Sequence, residues 1–205
     1  MIQQVKKLER QEKILSSLDK LQYATVKQLN RIQNLSSDRN CYRILQEMKK
    51  EKLVNCIKRE MNIYHLTKEG RDLIGSEKEL PKARVLDHIL MRNDLYIYLG
   101  NPQTWKIEQQ VEIGNEIIRA DAFYTKQRSQ QLQDHYFIEV DHTNPMSENR
   151  KKILQYQKLN DAFKRKNGFE IKVIFYTIGE VRRRHLKTFA EGKVPVEVYT
   201  IDDIR

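Results

Sequence analysis

The stretch Tyr23–Ile74, YATVKQLNRIQNLSSDRNCYRILQEMKKEKLVNCIKREMNIYHLTKEGRDLI, decides the fold of the first half of the chain. Thr25 is a good N-cap, and Val26, Leu29 and Ile32 after it recur at the spacing of a short, two-turn helix. The polar turn Asn34–Ser37 leads into a longer helical pattern from about Asp38 to Glu51. Its apolar face is Cys41, Ile44, Leu45 and Met48, which leaves Arg39, Asn40, Arg43, Gln46, Lys49 and Lys50 for the other face. Two strand-like runs follow, Leu53–Lys58 and Asn62–Leu66, joined by Arg59, Glu60 and Met61. Thr67 then caps a helix that contains Gly70 and reaches Gly75. Upstream, Leu8, Ile14, Leu15, Leu18 and Leu21 mark a first amphipathic helix.

Two short helices, a third basic one and a hairpin, in that order, predict a winged helix-turn-helix domain over residues 1–75. Such a domain presents one helix to a DNA groove and one hairpin to the neighbouring backbone. Arg39, Asn40, Arg43 and Gln46 are residue types that bond base edges, and the first turns, Asp38 to Arg43, are the expected readers. Lys49, Lys50, Lys58 and Arg59 suit phosphates. The run YHLTKEGRDLIG resembles the end of many bacterial winged-helix domains. The alternative is a three-helix domain used for protein contacts, as an interaction adaptor.

Composition agrees with a polyanionic partner. The 205 residues hold 38 Lys and Arg against 28 Asp and Glu, a formal net charge of +10. Residues 1–80 carry 17 basic and 11 acidic residues and the remainder 21 and 17, so the excess is not confined to one module. Cys41 and Cys56 lie in no CxxC spacing and are expected as reduced thiols of a cytoplasmic protein. The first residues lack the apolar core of a signal peptide, and no run has the length of a membrane span, so no membrane partner is expected.

The polar segment Ser76–Pro81 reads as a linker, and residues 82–205 as a second domain. A helix is expected from Lys82 to Leu99, a candidate seam for a homodimer. Strands follow at Trp105–Val111, Ile117–Tyr124 and Tyr136–Asp141, with a polar loop at Gln127–Asp134. A helix from Ser147 to Lys166, a strand Ile171–Tyr176, a basic helix Gly179–Glu191 and a strand Val194–Thr200 complete an α/β (α+β) layered domain.

Carboxylates fall on neighbouring strands of this domain. Glu139 and Asp141 are two apart and share a face. Asp121 on the preceding strand can join them, since strands lie ~5 Å apart. Three carboxylates at one point need a proton, a basic side chain or a hard divalent cation to neutralise them. The arrangement resembles the restriction-endonuclease-like, PD-(D/E)XK, superfamily, with Asp121 as the Asp and Glu139 as the Glu. That resemblance implies Mg²⁺ or Mn²⁺ held by Asp121, Glu139 and Asp141 in a DNA nuclease. The lysine position holds Asp141 instead, and Lys151 or Lys152 on the next helix is the candidate substitute, with Lys152 orienting water. The competing reading is a nuclease-like scaffold whose carboxylates pair with nearby arginines or cap loops.

Over residues 8–178 the chain resembles the replication-relaxation family. The resemblance rests on LDHILMRNDLYIYL, IRADAFY, YFIEVDHTNP and ENRKKILQYQKL, and its most specific part is the acidic EVD strand followed by Thr143 and a K-x-x-x-Y helix carrying Lys152 and Tyr156. It implies a DNA-binding protein of a plasmid or other mobile element that acts in replication or DNA relaxation and transfer. Double-stranded DNA and replication or transfer proteins would be its partners. Other chemistries lack their residues: no GxxxxGK[ST] or GxGxxG loop is present, and His88, His135 and His142 form no metal-ligand pattern. Tyr156 lacks the His pair that a rolling-circle relaxase needs.

Overall fold

Thr25 and Gln28 start the second helix by capping each other. The Gln28 amide donates to Thr25 Oγ1 at 3.2 Å, and the Thr25 amide donates to Gln28 Oε1 at 3.0 Å. The computed structural model describes residues 2–129 and 132–204, and its chain divides into two compact units, Met1–Ile97 and Tyr98–Arg205.

In the first unit, α1 (Ile2–Leu21) is followed by β1 (Ala24–Thr25), α2 (Val26–Gln33) and α3 (Asp38–Lys50). The hairpin β2 (Val54–Lys58) and β3 (Asn62–Leu66) comes next, then α4 (Lys68–Ile74). β1 joins the hairpin as a third, antiparallel strand in the order β1-β3-β2. Two residues of strand leave no periodicity to read, so the sequence gives no sign of β1. The first helix begins earlier than its apolar pattern, and Leu8, expected on the packed face, is exposed. Ile14, Leu15 and Leu18 are fully buried, and so are Leu29, Cys41, Leu45 and Met48. Cys41 and Cys56 are both free thiols.

Gly70 fixes the joint between the hairpin and α4. A Cβ there would sit 2.0 Å from the Leu53 carbonyl oxygen, so no larger residue fits without moving backbone. Thr67 holds the same joint: its hydroxyl donates to Lys52 O at 2.5 Å and accepts from the Gly70 amide at 3.0 Å. The LT..G run is therefore a packing requirement as well as a cap.

The division of the chain falls later than the predicted linker at residues 76–81. The helix expected at Lys82–Leu99 forms as a 3₁₀ turn at Ala83–Val85 and then α5 (Leu86–Tyr98), and all but its last residue belong to the first unit. Leu86 and Ile89 pack with Tyr23 and Ile63. Asn93 Nδ2 donates to the carbonyls of Leu21 and Tyr23, and Gln28 Nε2 to Leu90 O and Asp94. Helical spacing says that α5 has an apolar face but not which partner receives it. That face is buried within the chain itself.

The second unit is a five-stranded sheet in the order β4-β5-β6-β7-β8. Its strands are β4 (Lys106–Ile113), β5 (Glu116–Gln127), β6 (Gln133–Asp141), β7 (Lys172–Thr177) and β8 (Val196–Thr200). β4, β5 and β6 run antiparallel, and β6, β7 and β8 parallel. Parallel neighbours need crossovers, supplied by α6 (Met146–Asn167) and α7 (Glu180–Ala190); α8 (Ile201–Ile204) ends the unit. Ile153, Tyr156 and Leu159 of α6 and Leu186 of α7 share a core with Phe137, Val173 and Phe175. Strands replace both ends of the expected loop Gln127–Asp134, and Gln130 and Gln131 within it lie outside the described residues.

Candidate functional site

Two regions carry the predicted site residues, and each unit holds one. In the first, Ser37 caps α3 by accepting from the Asn40 amide at 3.2 Å. Cys41, Ile44, Leu45 and Met48 anchor one side of the helix in the core. Arg39, Arg43 and Lys50 stand exposed on the other, with Lys58 and Arg59 exposed at the hairpin. Tyr42, not singled out from sequence, is also exposed between the two arginines.

The expected base readers are not equally available. Asn40 Nδ2 donates to Leu35 O at 2.9 Å, and Gln46 Nε2 to the Tyr64 hydroxyl at 2.8 Å, so both help to hold the unit together. Lys49 Nζ lies 3.2 Å from Cys56 Sγ, and Arg59 pairs with Asp87 at 3.0 Å. Arg43 donates to Asn40 Oδ1 at 3.0 Å and pairs with Glu47 one turn along. An exposed i,i+4 pair of this kind contributes only ~0.3–0.5 kcal/mol, so a phosphate or base can displace it.

In the second unit, Asp121, Glu139 and Asp141 take the strand positions that the sequence indicates. The β5–β6 ladder runs from Gln127↔Gln133 to Ala122↔Ile138. Beyond that pair, Asp121 Oδ2 accepts from the Val140 amide at 2.7 Å, a side chain in place of a strand partner. Glu139 is 2% exposed. Its two oxygens receive Lys152 Nζ and the Tyr156 hydroxyl, the latter at 2.7 Å. Asp141, also buried, receives Asn149 at 2.7 Å, the Thr177 hydroxyl at 2.8 Å and a fork from Arg182 at 2.6 and 2.5 Å. Arg182 Nη2 donates further to Asn144 O at 2.6 Å.

Lys152 thus reaches back from α6 to Glu139, the position foreseen for a helix-borne lysine. Arg182, Asn149 and Tyr156 were not assigned to the cluster from sequence. Asn149, Lys152 and Tyr156 recur at three and four residues, so a polar stripe along α6 was a readable signal. The reach of Arg182 from α7 across to β6 was not readable.

Burial and the nearby Asp121 charge push the Glu139 carboxyl up to about 8, against the pull of Lys152 and Tyr156. Burial opposes the charge of Lys152 too, but Glu139 and Asp121 outweigh it and raise the ammonium above its ordinary value. Burial therefore favours the neutral carboxyl, while the neighbouring carboxylates favour the charged ammonium. Asp141 moves the other way. Burial raises it, but the bonds from Arg182, Asn149 and Thr177 together hold it below its usual range.

A hard divalent cation needs several oxygens with open lone pairs. Each oxygen of Glu139 and Asp141 already accepts a donor, and so does Oδ2 of Asp121. Among the described residues, no three of His, Cys, Asp and Glu gather so that they could hold a metal ion. The expected set of Asp121, Glu139 and Asp141 as ligands for Mg²⁺ or Mn²⁺ is not assembled, because Arg182 occupies Asp141. The donor set does not fit such an ion, and no catalytic step through one follows.

Residues 15–173 match the replication-relaxation family, and the chain belongs to that family. Protein VC1899 from Vibrio cholerae, a crystal structure, is 12% identical over 97% of this chain and 49% of that one, with a TM-score of 0.34. This chain therefore spans about half of that structure. No curated protein matches it. Among the described residues, no helix is long and apolar enough to cross a membrane.

Proposed function

We propose that the chain is a double-stranded-DNA-binding protein acting in the replication, relaxation or transfer of a plasmid or other mobile element in the cytoplasm. Its N-terminal unit is a winged helix, with α3 entering the major groove and the β2–β3 hairpin lying along the backbone. One observation carries this reading: α3 is bolted to the core by one face and holds Arg39, Arg43 and Lys50 out on the other. Arg39 and Arg43 read bases, with Asn40 and Gln46 setting the pose of the helix from behind. Lys49, Lys50, Lys58 and Arg59 meet phosphates. Replication or transfer proteins are the further partners this role entails.

The C-terminal unit is a restriction-endonuclease-like scaffold that does not cleave. The contact of Lys152 with Glu139 favours one rival, a Mn²⁺- or Mg²⁺-dependent nuclease using Asp121, Glu139 and Lys152. Two experiments separate them. Selection from a random duplex library, followed by titration of the recovered sequence, should give salt-sensitive binding that Arg43→Ala weakens; no enrichment overturns DNA recognition. Supercoiled plasmid with Mn²⁺ should stay intact; nicking by the wild type that Glu139→Ala abolishes establishes the nuclease.

A further inference from the structure

We infer that Lys152 and Arg182 stand in for a divalent cation, so that the carboxylates of the second unit form a metal-independent clamp holding α6 and α7 to the ends of β6 and β7. Five side chains donate to just two carboxylates: Lys152 and Tyr156 to Glu139, and Asn149, Thr177 and Arg182 to Asp141. They come from three different elements. Asn149, Lys152 and Tyr156 tie down α6, Thr177 belongs to β7, and Arg182 brings in α7. Through the Asn144 carbonyl, Arg182 also fastens the loop between β6 and α6.

Charge makes the same point. Lys152 sits on Glu139 and Arg182 on Asp141, so each of the two buried carboxylates has its own cation without any added ion. The planar fork of Arg182 covers both oxygens of Asp141, a geometry that a lysine would not reproduce. Asp141 is 1% exposed.

The inference deepens the scaffold reading of this unit and rests on it. It is independent of DNA contact by α3, because its test contains no DNA. Calorimetric titration of MnCl₂ into the purified chain should show no saturable heat, and millimolar Mn²⁺ should leave the melting temperature unmoved. Arg182→Gln should lower the melting temperature by roughly 10 °C, because a buried carboxylate loses its counter-ion. Adding Asp141→Asn to that variant should restore much of the loss. Saturable Mn²⁺ binding by the wild type that Glu139→Gln removes would overturn the clamp, as would an Arg182→Gln protein that melts like the wild type. Should Arg182→Gln fail to fold, the wild-type titration alone still decides.

Discussion

In the first unit Arg39, Arg43 and Lys50 of α3 and Lys58 and Arg59 of the hairpin stand exposed, and the ion pairs Arg43–Glu47 and Arg59–Asp87 lie at the surface. In the second, Lys152 and Arg182 are drawn onto carboxylates that are themselves buried. Coulomb's law is the same in both places, but the surroundings differ. An exposed pair contributes a few tenths of a kcal/mol and can exchange partners, whereas a buried one becomes part of the fold. The first arrangement keeps positive charge available to an incoming polyanion. The second uses it up internally.

Substitutions that sort into these two behaviours sharpen the contrast, and ones that cross over break it. The largest effect belongs to Arg182→Gln, already described, which should act on stability. Gly70→Ala comes next. Alanine normally improves a helix by ~1 kcal/mol relative to glycine. Here the added Cβ meets the Leu53 carbonyl at 2.0 Å. The clash should win and destabilise by ~3 kcal/mol, read by denaturant titration. A stabilised variant would show that the hairpin is not seated on α4 as described.

Arg43→Ala should weaken specific DNA binding by ~1–3 kcal/mol and leave the melting temperature nearly unchanged. Equal affinity in a gel-shift titration removes Arg43 from the reading face. The smallest effect is on pH dependence. Glu139 rises from an ordinary 4.5 to about 8 in the folded state, so its protonated form is the one the fold prefers. Its contribution to stability is complete below about pH 4.5 and is lost as pH climbs through about 8. Thermal stability should therefore decline from pH 5 to 9, and Glu139→Gln should flatten that slope. An unchanged slope would place the charge-sensitive group elsewhere.

Much of this architecture was legible from local pattern. The hairpin was read to within a residue, because two short runs with β-branched and aromatic residues flank a three-residue connection, Arg59–Met61. The cores of α2, α3 and α6 followed from spacing. The extension of β4 and β5 toward each other was missed, although Gly114-Asn115 is a turn pair that permits it, with Gly114 in the left-handed region. β1 exists only through its pairing with β3, and α5 joins the first unit through Gln28 and Asn93, contacts that no periodicity encodes. The carboxylates were found by their strand spacing. What neutralises them was found only in part: Lys152 lies within reach along one helix, while Arg182 arrives from another element altogether.

The most direct test is the salt dependence of duplex-DNA affinity, comparing the wild type with an Arg39→Ala, Arg43→Ala and Lys50→Ala triple variant of the full chain. The wild type should bind with an affinity that falls steeply as salt rises. The triple variant should lose most of that affinity, and about one unit of the log–log slope with the Lys50 phosphate contact. A triple variant with the wild-type affinity and slope would contradict the account and move DNA contact away from α3.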